Sequence, residues 1–225
     1  MSIEAPIIRG QSTVLDEASF AGRTYRFYRL DEIDLDVFCD NDDMMPYWAD
    51  IWPSGVVLAD LIANAGKMSD VRFLELGCGL GLPSMVAASI GADVTASDYI
   101  PEALDLLQRN AVLNFIGIQT CRLDWQHPVD IGRYDLVVAA DVLYEHWQTD
   151  ALVDMLARTV DRTGMAMVVD PDRLTAKTFA DAATYSGFRV VRRKLEPVAA
   201  LHQNGLAGEQ AWRQPMSLYE LMWRE

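Results

Sequence analysis

The densest chemical signal in the chain is LELGCGLGLP, residues 74–83. Apolar residues run into three glycines at alternate positions, Gly77, Gly79 and Gly81, and a proline suited to the first turn of a helix follows. Such a strand–turn–helix bend lets a ligand approach bare backbone at the carboxyl edge of a parallel sheet. Asp98 lies 17 positions beyond Gly81, at the end of the next apolar run, ADVTAS. A carboxylate there can accept both hydroxyls of a ribose; the plain alternative is a helix cap, since Pro101 follows three residues on. A nicotinamide dinucleotide would call for GxGxxG and a pyrophosphate on the helix N-terminus. Here the spacing is GxGxG, with Leu82 where the last glycine of that pattern would stand. Glu75, just before the bend, would repel a pyrophosphate and favour a ligand carrying positive charge. Its structural alternative is an acid bonded to neighbouring backbone N–H groups.

The elements that must hold these residues follow from the periodicity. Strands are expected over 23–30, 71–76, 92–97, 118–124, 134–141, 165–170, 188–195 and 216–223. Helices are expected over 54–65, 83–90, 101–113, 148–160 and 174–186. Compact apolar strands alternating with helices imply an α/β, Rossmann-like fold. We expect seven mostly parallel strands, helices on both faces and the last strand antiparallel. Residues 31–43 carry seven Asp or Glu and read as a solvated acidic segment. No repeat or linker interrupts the chain. The division is an N-terminal extension at 1–52 (strand and acidic loop) and one catalytic domain at 53–225.

Composition narrows the function classes. Hydrophobic residues make up 51% of the 225 and can build a substantial core. The net charge of −14 argues against DNA or RNA as the main partner and for cationic ones. Cys39, Cys78 and Cys121 are widely spaced, and His127, His146 and His202 show no ligand spacing, so no metal and no disulfide framework are expected. The N-terminal residues lack the basic start and apolar run of a signal peptide, and no stretch suits a membrane span. The expected location is cytoplasmic, with no membrane partner.

Together, these motifs resemble the class I, seven-β-strand methyltransferases that use S-adenosyl-L-methionine. ELGCGLG resembles their first motif, Asp98 their second, and LDW (123–125) the segment after the third strand. Three further segments resemble the lysine-directed branch, and within it the electron-transfer flavoprotein β-subunit lysine methyltransferases and their bacterial relatives. They are PYWADIWPSG (46–55), AADVLYEHW (139–147) with its Asp-x-x-Tyr pair Asp141 and Tyr144, and VVDPDR (168–173), which carries Asp172 in place of a glycine.

The resemblance implies roles. Gly77, Gly79 and Gly81 would line the methionine moiety with Glu75 near its amino end, and Asp98 would hold the ribose. Asp124 and Trp125 would border the adenine, with core packing as the alternative for Trp125. Trp52 would cover the cofactor or serve as a core aromatic. Asp141 and Tyr144 would be catalytic, receiving and orienting an amine and assisting loss of its proton; Glu145 is a weaker candidate. Otherwise Asp141 caps the next segment and Tyr144 packs. The implied substrate is a protein presenting a lysine, with the electron-transfer flavoprotein β-subunit one candidate. The rivals are a small-molecule amine or other metabolite, and a non-catalytic cofactor- or partner-binding domain. Residues 197–215 could line the substrate mouth or form a surface loop.

Overall fold

In the computed structural model the described residues are 5–32, 37, 46–195 and 215–224. Most of the acidic 31–43 segment, Cys39 and all but the last residue of 197–215 lie outside them.

The chain begins with an antiparallel three-stranded sheet: β1 (Ile7–Ile8), β2 (Gln11–Phe20) and β3 (Arg23–Leu30). Only β3 was expected. Pairing of Ile8 with Gln11 and of Phe20 with Arg23 leaves the two-residue loops Arg9–Gly10 and Ala21–Gly22. All four loop residues have positive φ, the geometry whose twist matches antiparallel strands. β2 escapes a hydrophobicity reading because its buried residues, Thr13, Ala18 and Phe20, are few and one is polar.

A short 3-10 turn, Tyr47–Ala49, leads into α1 (Pro53–Ala63). The chain then alternates through β4 (Arg72–Leu76), α2 (Leu82–Ser89), β5 (Asp93–Asp98), α3 (Pro101–Leu113) and β6 (Gln119–Arg122). It continues through β7 (Tyr134–Ala140), α4 (His146–Thr159), β8 (Val160–Asp170), α5 (Leu174–Tyr185), β9 (Phe188–Leu195) and β10 (Met216–Trp223). The seven strands order as β6-β5-β4-β7-β8-β10-β9. Pairing is parallel from β6 to β8, and β10 runs antiparallel to both of its neighbours. This is the expected seven-stranded, mostly parallel sheet with an antiparallel last strand. The strand order reverses between β4 and β7, which opens a crevice at their carboxyl ends.

Two elements start two or more residues before their expected positions. α4 starts at His146 because Glu145 and Gln148 form a capping box across its first turn. β8 starts at Val160, paired with Tyr134, rather than at residue 165.

Period-two alternation sends Phe73, Leu136 and Val138 to one face of the sheet and Leu74, Leu76, Val137 and Ala139 to the other. The first face is covered by α1, α2 and α3, the second by α4 and α5. The N-terminal sheet joins the first core through Tyr25, Phe27, Tyr28 and Leu30. Its edge is closed by side chains of α3. Asn110 accepts the Tyr28 N–H at 2.7 Å and donates to the Tyr28 carbonyl at 3.1 Å. Asn114 pairs with the backbone of Arg26 in the same way. These two asparagines replace a missing strand, so β3 presents no bare edge there.

Candidate active site

The β4–α2 bend is fixed by contacts on every side. Gly79 donates its N–H to Asp98 Oδ2 at 2.9 Å, and the Ile100 N–H meets the other oxygen, Oδ1, at 3.0 Å. Asp98 therefore ties the glycine bend to the start of α3. It is not the cap of that helix: Ile100 holds the N-cap position, with no side-chain cap bond. The Tyr99 N–H bonds the same carboxylate, and of its four lone-pair sites one is left to accept a hydroxyl.

The three glycines meet different neighbours. A Cβ on Gly77 would come within 2.9 Å of Val142 Cγ1, and one on Gly79 within 3.1 Å of the Trp48 carbonyl. On Gly81, where φ is +70°, it would lie 2.1 Å from Leu107 Cδ1. Gly81 is thus required by packing of the bend against α3 as well as lining the cavity.

Glu75 is 2% exposed, and its Oε2 accepts both the backbone N–H and the hydroxyl of Ser84 in the first turn of α2. The structural alternative for Glu75 is present, alongside a place in the cavity wall. Burial pushes its pKa up to about 8, which favours the protonated acid at neutral pH. The same cause raises Asp98 above the usual carboxylate range.

Beyond β6, Asp124 bonds His127 Nδ1 through Oδ2 at 2.9 Å and accepts the Gln126 N–H at Oδ1. The His127 bond lowers its pKa. Trp125 both lines the cavity and packs on the second core, 3.7 Å from a Cβ placed on Gly77.

The opposite wall is built at the ends of β7 and β8. Asp141 sits just past β7 at φ +58°, its side chain 9% exposed. Its Oδ1 pairs with Arg173 at 2.8 Å, and its Oδ2 accepts the Ser54 N–H at the start of α1, at 3.1 Å. Asp141 therefore caps a helix 87 positions earlier rather than the segment after it. Arg173 also grips Asp170, fully buried at the end of β8. A carboxylate held on both oxygens is a fixed negative charge, not a mobile base. Tyr144 is half-exposed, and burial of its hydroxyl raises its pKa, so it stays a neutral phenol. Trp52 is partly exposed and donates Nε1–H to the Tyr47 carbonyl at 2.7 Å, which makes it a rim residue rather than a core aromatic.

One cavity of about 730 Å³ is lined by Trp52, Glu75, Gly77, Gly79, Gly81, Asp98, Asp124, Trp125, Asp141 and Tyr144 together. Its described wall carries six acidic side chains, from Asp50, Glu75, Asp98, Asp124, Asp141 and Glu145, and no Lys, Arg or His. Such a wall favours a cationic ligand and opposes a pyrophosphate. Sequence reasoning missed Tyr47 and Asp50, although both lie inside the PYWADIWPSG segment, and it missed Arg173, the last residue of VVDPDR. Among the described residues no helix is long and apolar enough to cross a membrane.

The chain can be compared with known proteins on this footing. Residues 30–182 match the family profile described as lysine methyltransferase. Electron transfer flavoprotein beta subunit lysine methyltransferase of Xenopus laevis is 34% identical over 161 residues, 68% of this chain and 60% of that protein. Histone-arginine methyltransferase METTL23 of Xenopus laevis is 31% identical over 141 residues, 58% of this chain and 60% of that protein. Each match thus spans about three-fifths of the relative's length. Among solved structures, the N-methyltransferase NodS from Bradyrhizobium japonicum WM9, bound to S-adenosyl-l-homocysteine, superposes with a TM-score of 0.59. The identity is 21%, over 85% of this chain and 97% of that one, so the likeness is one of fold. With its profile matched over most of its length, and the strand order and bend that fold requires, the chain belongs to the lysine methyltransferase family.

Proposed function

We propose that the protein transfers a methyl group from S-adenosyl-L-methionine to the ε-amino group of a lysine in a protein substrate. One observation carries this reading. The glycine bend with Asp98, and the Asp141–Tyr144 pair, wall the same acidic cavity although they come from opposite halves of the sheet.

The residues present suit that cofactor. Asp98 keeps acceptor capacity for a ribose, and Asp124 and Trp125 stand beyond β6 where an adenine would be bordered. Positive charge beside Glu75 would offset the burial that favours its protonated form. Bound there, S-adenosyl-L-methionine supplies an electrophilic methyl on a sulfonium. The remaining work is positional: nucleophile and methyl must be held in line, about 3 Å apart. Asp141, fixed by Arg173 and the α1 N-terminus, presents a stationary negative charge that draws and orients an ammonium. Tyr144 borders its path. A free ammonium, with an ordinary pKa near 10.4, has no lone pair, so its proton must leave toward solvent before the amine attacks.

The arginine-directed relative raises a second acceptor. A guanidinium is best recognised by a carboxylate free on both oxygens. Asp141 is already engaged by Arg173, which favours lysine. The partner candidates are a lysine-presenting protein such as an electron-transfer flavoprotein β-subunit, and, as the rival, a small amine. Labelled cofactor added to a lysate before and after removal of small molecules tests this. Label should stay with protein and appear as methyl-lysine on hydrolysis. Label confined to small molecules, or recovered as methyl-arginine, would reject the reading.

A further inference from the structure

The mouth of the cavity holds three aromatic rings whose arrangement the proposed chemistry leaves unexplained. Trp48 anchors the Tyr47–Ala49 turn in the core, 9% exposed, while the adjacent Tyr47 ring lines the cavity at 45% exposure. Tyr47 lies 5.9 Å from Trp52 and 5.4 Å from Tyr144, between ring centroids. The planes meet at 64° and 56°, so the rings are walls of a corner, not a stack. The position of the turn is braced by Trp52 Nε1–H on the Tyr47 carbonyl and by the Ala49 N–H on the Pro46 carbonyl. Asp50 and Glu145 line the same mouth.

Ring faces carry negative potential and attract ammonium groups, most strongly where water is displaced. Carboxylates at the edge add long-range attraction for the same charge. We propose that Tyr47, with Trp52 and Tyr144, forms an aromatic corner that recognises the acceptor as an alkylammonium cation. Tyr47 is then a specificity-determining residue acting through its ring face, with its hydroxyl dispensable. The inference deepens the lysine reading and rests on it. It also moves Trp52 from a cofactor cover to a shared wall between cofactor and acceptor.

The test needs no knowledge of the natural substrate. Protein saturated with S-adenosylhomocysteine is titrated with butyltrimethylammonium and with its uncharged carbon isostere. The cation should bind on the order of tenfold more tightly than the isostere. Tyr47→Leu should weaken the cation about tenfold and leave S-adenosylhomocysteine affinity within about twofold; Tyr47→Phe should restore cation binding. Equal binding of cation and isostere would overturn the proposal. So would a Tyr47→Leu variant that loses S-adenosylhomocysteine affinity while cation binding persists, or a Tyr47→Phe variant as weak as Tyr47→Leu. Wild-type protein that fails to bind S-adenosylhomocysteine at all would instead strike the functional reading beneath it.

Discussion

The two ends of the cavity are built by different rules. At the β4–β5 end the carboxylates are buried, bonded to backbone N–H groups of the glycine bend and the helix starts, and shifted upward in pKa. The bend there has almost no room: a Cβ on Gly81 would collide with Leu107. At the β7 end Asp141 is tied to a guanidinium and to a distant helix, and the groups around it include partly exposed rings. A closed, pre-bonded wall suits a ligand of fixed shape met at every turnover. An open mouth of rings and carboxylates suits a side chain delivered by another macromolecule. The difference teaches that substitutions should separate the ends: those at the first should change cofactor affinity or folding, those at the second turnover.

The largest separation is expected for Asp141→Ala. Turnover should fall on the order of a thousandfold, as a fixed orienting charge is lost, while cofactor affinity, read by calorimetry, stays within about threefold. A parallel loss of both would erase the distinction between the ends. Next, Gly81→Ala should cost about 3 kcal/mol, combining left-handed strain with overpacking on Leu107. Its melting point should fall by roughly 6–12 °C. Gly79→Ala, facing the Trp48 carbonyl at 3.1 Å, should cost less, and the reverse order would contradict the packing described for the bend. Asp98→Ala should weaken cofactor binding about a hundredfold, through lost charged hydrogen bonds, with a smaller change in turnover at saturation. Unchanged affinity would remove Asp98 from the cofactor wall.

The last prediction concerns pH. Glu75 titrates near 8 when folded, against an ordinary 4.5. Between those values the folded protein holds a proton that the unfolded chain has released, so stability of the ligand-free protein should decline as pH rises. The decline reaches at most about 1.4 kcal/mol per pH unit and levels off above pH 8. Glu75→Gln should flatten it. Thermal unfolding across this range checks the point, and parallel profiles for the two proteins would reject it. By the same linkage, affinity for a cationic ligand should rise toward pH 8 in the wild type only.

Much of the fold was legible because its signals are local. The central strands β4 and β7 are short apolar runs, and the bends after β4 and β5 each carry a proline at the start of the next helix. The cofactor end was legible for the same reason: Glu75, the three glycines and Asp98 fall within 24 positions, on two consecutive strand ends. β1 and β2 were not, because an N-terminal sheet that buries a threonine and an alanine shows weak alternation. Only the Arg–Gly and Ala–Gly loops could have betrayed them.

The sequence by itself therefore determined the order of elements, the glycine bend and the acid that faces it, since period and spacing act over one or two turns of chain. Only the tertiary structure decided what Asp141 does. Its two partners, Ser54 and Arg173, lie 87 positions before it and 32 after it, and no local pattern links the three. The same holds for Tyr47 against Tyr144 and for the protonation of Glu75. Pairing across a sheet and exclusion of water are properties of packed layers, and they exist only once distant segments have closed on one another.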